Sequence, residues 1–189
     1  MSLLFVFLQY LELALRLSTS VTTLPLADAA AHVAAARAAS TERITPELLL
    51  AIAFVESRFD VTAVSRVEGH KRKTGRYPST QAPASLDRRA SLYCGPLQTF
   101  AGSWAQCLEY RDLPTAYAAA AAELEQWLGD RRVHGDVTRA LAGHGCGNYG
   151  VTTGKCNGYP GRVLGMQQRF TLEVNRPTLT SARRKIPNT

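Results

Sequence analysis

The sequence predicts a mainly α fold with one short irregular or β-hairpin insertion. Three observations lead there. Apolar residues recur at three and four positions in ITPELLLAIAFVESRFD (residues 44–60), an alanine-rich stretch runs from Leu26 to Ala39, and residues 66–93 are crowded with turn formers and lack apolar periodicity. A chain of 189 residues with 46% hydrophobic composition can bury one sizeable core and is too apolar for disorder. The expected organisation is an N-terminal helix and linker (1–23), one domain (24–174) and a basic C-terminal tail (175–189).

The opening MSLLFVFLQYLELALRL lacks the marks of an export signal. No Lys or Arg precedes the apolar stretch, Gln9 and Glu12 interrupt it, and no small-residue cleavage site follows closely. It is also too short and polar to span a bilayer. On a helix, Gln9, Glu12 and Arg16 share one stripe, whereas Leu4, Phe7, Leu8, Leu11 and Leu15 share another. Such an amphipathic segment either packs on its own domain or anchors the chain to a protein partner or membrane surface. The polar linker STSVTTLP separates it from the Leu26–Ala39 helix, which rests on propensity more than on pattern.

In the next helix, Leu48, Leu49, Ile52, Ala53 and Val55 turn one face to a core, with Glu56 near the end. Thr45 supplies a hydroxyl N-cap before Pro46 at the first helical position. A carboxyl half-desolvated at this place tends to keep its proton, which suits a general acid. The plainer reading is a surface Glu at a helix end beside Arg58. Residues 66–93 follow as a basic loop with room for a short hairpin. Arg72, Lys73 and Arg76 either wall a cleft facing anionic polymer or belong to a solvated excursion.

Further helices are expected over about 100–110, 114–128, 136–144 and 159–173, with Pro114 and Asp136 as starts and Gly129 as a stop. Trp104 and Trp127 fall inside two of them and are assigned to the core. From Asn175 the chain has no periodicity. With Arg183, Arg184 and Lys185 it reads as an extended arm, mobile or docked on a neighbour.

Four cysteines, Cys94, Cys107, Cys146 and Cys156, allow three connectivities or none and lack zinc-finger spacing. The glycine-rich GNYGVTTGK between Cys146 and Cys156 can fold back, so a bridge closing it is easy and leaves Cys94 with Cys107. Bridges imply an oxidising setting such as the periplasm or an exposed particle; four buried thiols in a reducing compartment are the alternative. A net charge of +7 and a pI near 9.5 predict attraction to polyanions. Bacterial wall polymers, anionic membrane surfaces and nucleic acid are the candidates, and charge alone does not choose among them. Nucleic acid is disfavoured, because the basic residues are neither interleaved with aromatics nor gathered on one helix. No metal or phosphate-binding motif stands out, so no cofactor is expected.

Several of these stretches occur in one order. Glu56-Ser57 ends its helix and Ala63-Val64-Ser65 follows; Gly95-Pro96-Leu97-Gln98 comes next, then Ala142-Gly143-His144-Gly145-Cys146-Gly147, and Tyr159 with Val163. Over roughly residues 44–172 the chain resembles the lytic transglycosylases of the goose-lysozyme-like superfamily. These carry a helix ending in Glu-Ser with a following Ala-Val-Ser, a Gly-Leu-Met-Gln turn, an Ala-x-Tyr-Asn-x-Gly segment and a closing Tyr-x-x-x-Val. Here His144 stands in the place of the motif tyrosine and Gly145 in that of the asparagine. The link before the Gly-x-x-Gln turn is longer than in most relatives.

The resemblance implies a lysozyme-like fold of the goose-type lysozyme kind and cleavage of peptidoglycan. Glu56 would protonate the glycosidic oxygen between N-acetylmuramic acid and N-acetylglucosamine, with the acetamido carbonyl stabilising the cationic centre. The carboxylate would then take a proton from the C6 hydroxyl, which attacks C1 to leave a 1,6-anhydro end without consuming water. By motif position Ser57 and Gln98 would bind substrate, with His144, or Tyr149 from the following loop, replacing the missing hydroxyl. Asp60, Glu68 and Asp87 are candidate second carboxylates for a hydrolysing muramidase on the same fold. An inactive virion or tail component is the non-enzymatic alternative. An enzyme of this kind serves local wall penetration by a phage, secretion or conjugation apparatus, in the virion or the periplasm, with protein partners at either terminus.

Overall fold

The computed structural model describes residues 24–68, 71–83 and 91–175. The predicted N-terminal amphipathic helix, the tail beyond Asn175 and Asp87 lie outside the described residues, as do the side chains of Glu68 and Arg72. Among the described residues the chain is mostly helical, with a small antiparallel sheet. Six helices are present: α1 (Leu26–Ala39), α2 (Pro46–Ser57), α3 (Trp104–Glu109), α4 (Leu113–Gly129), α5 (Val137–Thr153) and α6 (Tyr159–Asn175). Strands β1 (Ala63–Glu68), β2 (Lys71–Arg76), β3 (Ser91–Cys94) and β4 (Thr99–Ala101) form one sheet in the order β2-β1-β3-β4.

Helix α2 is the centre of the molecule. Thr45 Oγ1 accepts from Leu48 N at 3.2 Å and Pro46 opens the helix, as its sequence predicts. Every residue from Leu48 to Phe54 is buried, so the helix hides more than the one face its pattern suggested. The reason lies in its neighbours: α1, α4 and α6 all pack against it. Helix α1 packs on both α2 and α4, and its Ala29 and Ala36 are wholly buried. Helix α6 packs along it, with Gln167 Nε2 donating to Thr45 Oγ1 at 3.2 Å and the Phe54 and Phe170 rings meeting edge-on at 6.4 Å.

The sheet is the main departure from the sequence reading, which allowed a loop and one hairpin. The β1–β2 hairpin is polar and basic, and its strands lack the alternation of a half-buried sheet. Strands β3 and β4 are too short to announce themselves. Residues 99–101 pair with β3 instead of starting a helix, and α3 begins only after Ser103, whose hydroxyl accepts from Gln106 N at 3.2 Å. Trp104 and Trp127 pack against the core, as expected.

Both disulfides form, Cys94–Cys107 and Cys146–Cys156, and no cysteine is free. The first ties β3 to α3. The second closes a segment that is helical, not a loop. Helix α5 continues past residue 144 to Thr153 and kinks at Gly147 (φ 58°, ψ −147°), a backbone region that only glycine adopts readily. The chain folds back so closely there that a Cβ on Gly150 would lie 2.0 Å from the Ala142 carbonyl oxygen.

Candidate functional site

The all-buried run of α2 ends at Phe54, and Glu56 is the first half-buried acid beyond it. The helix stops one residue later because Arg58 (φ 59°) and Phe59 (φ 67°) turn left-handed, which sends the chain back toward β1. Glu56 therefore sits at a helix end where a side chain meets solvent while its backbone stays fixed by packing. It lines an open pocket of about 150 Å³ with Gly145, Asn157, Tyr159 and Arg162. Glu56 is the one acid among the described residues that line it.

The stretches named from sequence come together around the Gly95–Gln98 turn. Ser57 Oγ donates to the Pro96 carbonyl at 2.8 Å and to the Ala53 carbonyl at 3.2 Å, and accepts from Asp60 N at 3.0 Å. His144 Nε2 meets the Leu97 carbonyl at 3.2 Å. The turn is thus held from one side by the end of α2 and from the other by the middle of α5. Gly95 (φ 72°) is needed within it, because a Cβ would lie 2.3 Å from the Tyr110 carbonyl oxygen.

Gln98 is buried and serves the fold. Its Oε1 accepts from Ser65 Oγ at 2.6 Å, and its Nε2 donates to the carbonyls of Ala63 and Gly95, each at 3.0 Å. Three of its four hydrogen-bonding positions are filled within the protein. Ser57 is committed likewise. Both residues join β1, the turn and α2, and so fix the platform under Glu56.

His144 lies inside helix α5, not in the loop its glycine neighbours suggested, and its side chain is only 1% exposed. Nδ1 is 3.2 Å from Glu123 Oε1, an ion-pair distance without the alignment of a hydrogen bond. Nε2 faces a carbonyl, which can only accept. A ring with acceptors at both nitrogens is best matched by the imidazolium, which has two N–H groups. Burial opposes that charge, but the charge and hydrogen-bonding capacity of Glu123, the charge of Glu56 and the Leu97 carbonyl outweigh it and raise the His144 pKa. On Glu123, burial is likewise outweighed by His144 and by the Trp127 indole N–H, 3.3 Å away, so its pKa is lowered.

Glu123 was missed in the sequence, although it sits where α4 otherwise turns Ala120, Leu124 and Leu128 inward. A carboxylate one turn before Trp127 on that buried side was the available signal. Tyr159 and Arg162 were also missed as pocket residues. Tyr159 is buried, with its ring 6.2 Å from that of His144. Tyr149, expected to supply a hydroxyl, is 63% exposed beyond the Gly147 kink and does not line the pocket.

Gly145 also has a steric cause. A Cβ there would meet the Tyr159 ring at 2.7 Å and Cys156 Sγ at 3.0 Å. At Gly143 it would meet the Trp127 ring at 2.6 Å. The two glycines let α5 approach α4 on one side and α6 on the other. No protein-family model, curated protein or solved structure matches this chain.

Of the candidate second carboxylates, Asp60 is engaged. Its Oδ1 accepts from Thr62 N and Oγ1 at 2.8 and 2.7 Å, and its Oδ2 pairs with Arg76 Nε at 2.5 Å. That pair also takes up Arg76, one of the three basic residues considered for a cleft wall. Among the described residues no cluster of three His, Cys, Asp or Glu could hold a metal ion.

Proposed function

We propose that the chain is a peptidoglycan lytic transglycosylase with a lysozyme-like fold, in which Glu56 cuts the bond between N-acetylmuramic acid and N-acetylglucosamine. The observation that carries this reading is the convergence of separate segments on the turn next to the end of α2, where Glu56 stands. Glu56, the Gly95–Gln98 turn and the His144 segment resemble three family motifs, and Ser57 and His144 grip the turn from two sides.

A single acid in an open pocket suits substrate-assisted chemistry, in which the sugar's acetamido group does the work of a second carboxylate. Glu56 donates its proton to the leaving oxygen as the C1–O bond breaks. The same carboxylate accepts the proton of the muramoyl C6 hydroxyl as that oxygen bonds to C1, so no water is consumed. The hydroxyl outcompetes bulk water through its effective concentration beside C1. His144 acts by holding the Leu97 carbonyl of the turn, while Tyr159 lines the pocket in place of Tyr149.

The engagement of Asp60 weighs against a hydrolysing muramidase. Two disulfides favour a working place outside the reducing cytosol, in the envelope or on a particle that reaches it. Zymography in a gel containing peptidoglycan tests the reading. Wild type should clear the gel and Glu56→Gln should not; clearing by the variant would refute the role of Glu56, and no clearing by either would favour the inactive structural component.

A further inference from the structure

A second, larger hollow of about 380 Å³ adjoins the Glu56 pocket, the two sharing Val55 and Arg162 as lining residues. Phe54, Val55 and Met166 line the second hollow together with Arg58, Arg162 and Arg169. None of its described lining residues is acidic. The Arg58 guanidinium lies 4.0 Å from the centre of the Phe54 ring, and Arg162 Nη1 donates to the Asn157 carbonyl at 2.7 Å. Two of the cations are therefore held in place at the rim.

Helix α6 keeps the hollow open. Arg162, Gly165 and Arg169 follow one another at three and four residues on the same face. A glycine inside a helix is less stable than an alanine. At Gly161 and Gly165 a Cβ would meet nothing within 4 Å, so neither glycine is required by packing as Gly145 is. The hollow is of ligand size, since small-molecule sites begin at about 300 Å³. It also lies by the start of α6, whose dipole favours negative charge.

We propose that this arginine-walled half of the groove binds an anionic substituent of the glycan whose backbone lies at Glu56. The inference rests on the glycan reading above and adds that the substrate is recognised by charge next to the cleaved bond. Arg162, common to both halves, stands where the sugar would end and the anion begin. The same chemistry has two sources in a wall, the carboxylates of peptides attached to the sugar and the phosphates of wall polymers.

The test is sedimentation of the full chain with insoluble wall sacculi, in a Glu56→Gln background so that the strands stay uncut. Four preparations are compared: intact, stripped of peptides by an amidase, stripped of phosphate polymers by acid, and stripped of both. On intact sacculi, Arg58→Gln with Arg169→Gln should weaken binding by roughly tenfold, at about three- to fivefold per exposed ion pair. Gly165→Leu, which fills the hollow without removing charge, should weaken it comparably. The difference from the parent should vanish on the preparation that lacks the anion, which identifies its source. Unchanged binding of both variants to intact sacculi would overturn the proposal, as would a difference that persists on doubly stripped strands. Failure of the glycan reading looks different: the parent would then bind no preparation, the doubly stripped strands included.

Discussion

His144, buried, and Glu123, half-buried, form an ion pair across the α4–α5 interface, with Nδ1 3.2 Å from Oε1. The pair lies behind the Glu56 pocket, and its histidine also holds the turn that Ser57 grips from the other side. A second buried histidine, His32, has the opposite character. Its Nδ1 shares a hydrogen bond of 3.0 Å with the Tyr117 hydroxyl, and burial lowers its pKa to about 4 against the weaker pulls of Asp28 and the Phe59 backbone.

These two histidines predict a stability maximum near pH 6.5, the ordinary histidine value. The native state holds His144 protonated above that pH, so its contribution is full below pH 6.5 and is lost as pH rises through the raised native pKa. It holds His32 neutral, so that contribution is full above pH 6.5 and is lost as pH falls toward 4, amounting to about 3 kcal/mol. Glu123 adds to the acid limb, because its lowered pKa makes its contribution disappear as pH falls below the ordinary carboxylate range. Thermal unfolding from pH 4 to 9 checks this. Glu123→Gln should flatten the alkaline limb and cost about 3 kcal/mol near neutrality by leaving His144 unpaired.

Gly145→Ala should destabilise the protein by about 1–3 kcal/mol through the contacts with Tyr159 and Cys156. Gly165→Ala should instead stabilise it by about 0.5–1 kcal/mol, since nothing stands within 4 Å of the new methyl. Urea unfolding midpoints should move in opposite directions. Equal shifts would contradict the packing account of the altered third motif.

Gln98→Ala should behave as a fold variant. It removes three hydrogen bonds, although the Ser65 hydroxyl keeps Thr74 and the Ala63 and Gly95 carbonyls keep backbone amides, at a cost of about 1–3 kcal/mol. Ser57→Ala should cost about 1 kcal/mol through the bonds to Pro96 and Asp60. A raised KM with unchanged unfolding free energy would restore to either residue the substrate contact suggested by its motif position.

Replacing Cys146 and Cys156 with serine should cost about 2–4 kcal/mol and loosen the wall of the Glu56 pocket, which both cysteines line. The same treatment of Cys94 and Cys107 should free α3 from β3 with less effect on that pocket. Alkylation of the unreduced protein followed by intact mass analysis should show no labelled thiol.

The helices were legible where local chemistry set them. Thr45-Pro46 fixed the start of α2, and Asp136 caps α5 by accepting from Arg139 N at 3.1 Å. The cysteine pairs were legible because GNYGVTTGK is short and rich in glycine, even though it forms a kinked helix rather than a loop. The sheet was not, because β2 is held by pairing to β1, and β1 in turn to β3, while both carry mostly polar side chains. The acid at the end of α2 was visible as a carboxylate after an apolar run. Its surroundings were not: motif position pointed to Gln98 and the following loop offered Tyr149, but tertiary packing turned Gln98 inward and carried Tyr149 outward, leaving the pocket to Tyr159 and Arg162.

Mass spectrometry of the soluble fragments released from purified peptidoglycan tests the role of Glu56 most directly. Wild type should yield muramoyl ends one water lighter than hydrolysed ends, and Glu56→Gln, with an unchanged unfolding midpoint, should release none. Ends carrying the added water would contradict the intramolecular attack. Release by the variant at the wild-type rate would contradict the assignment of the acid itself.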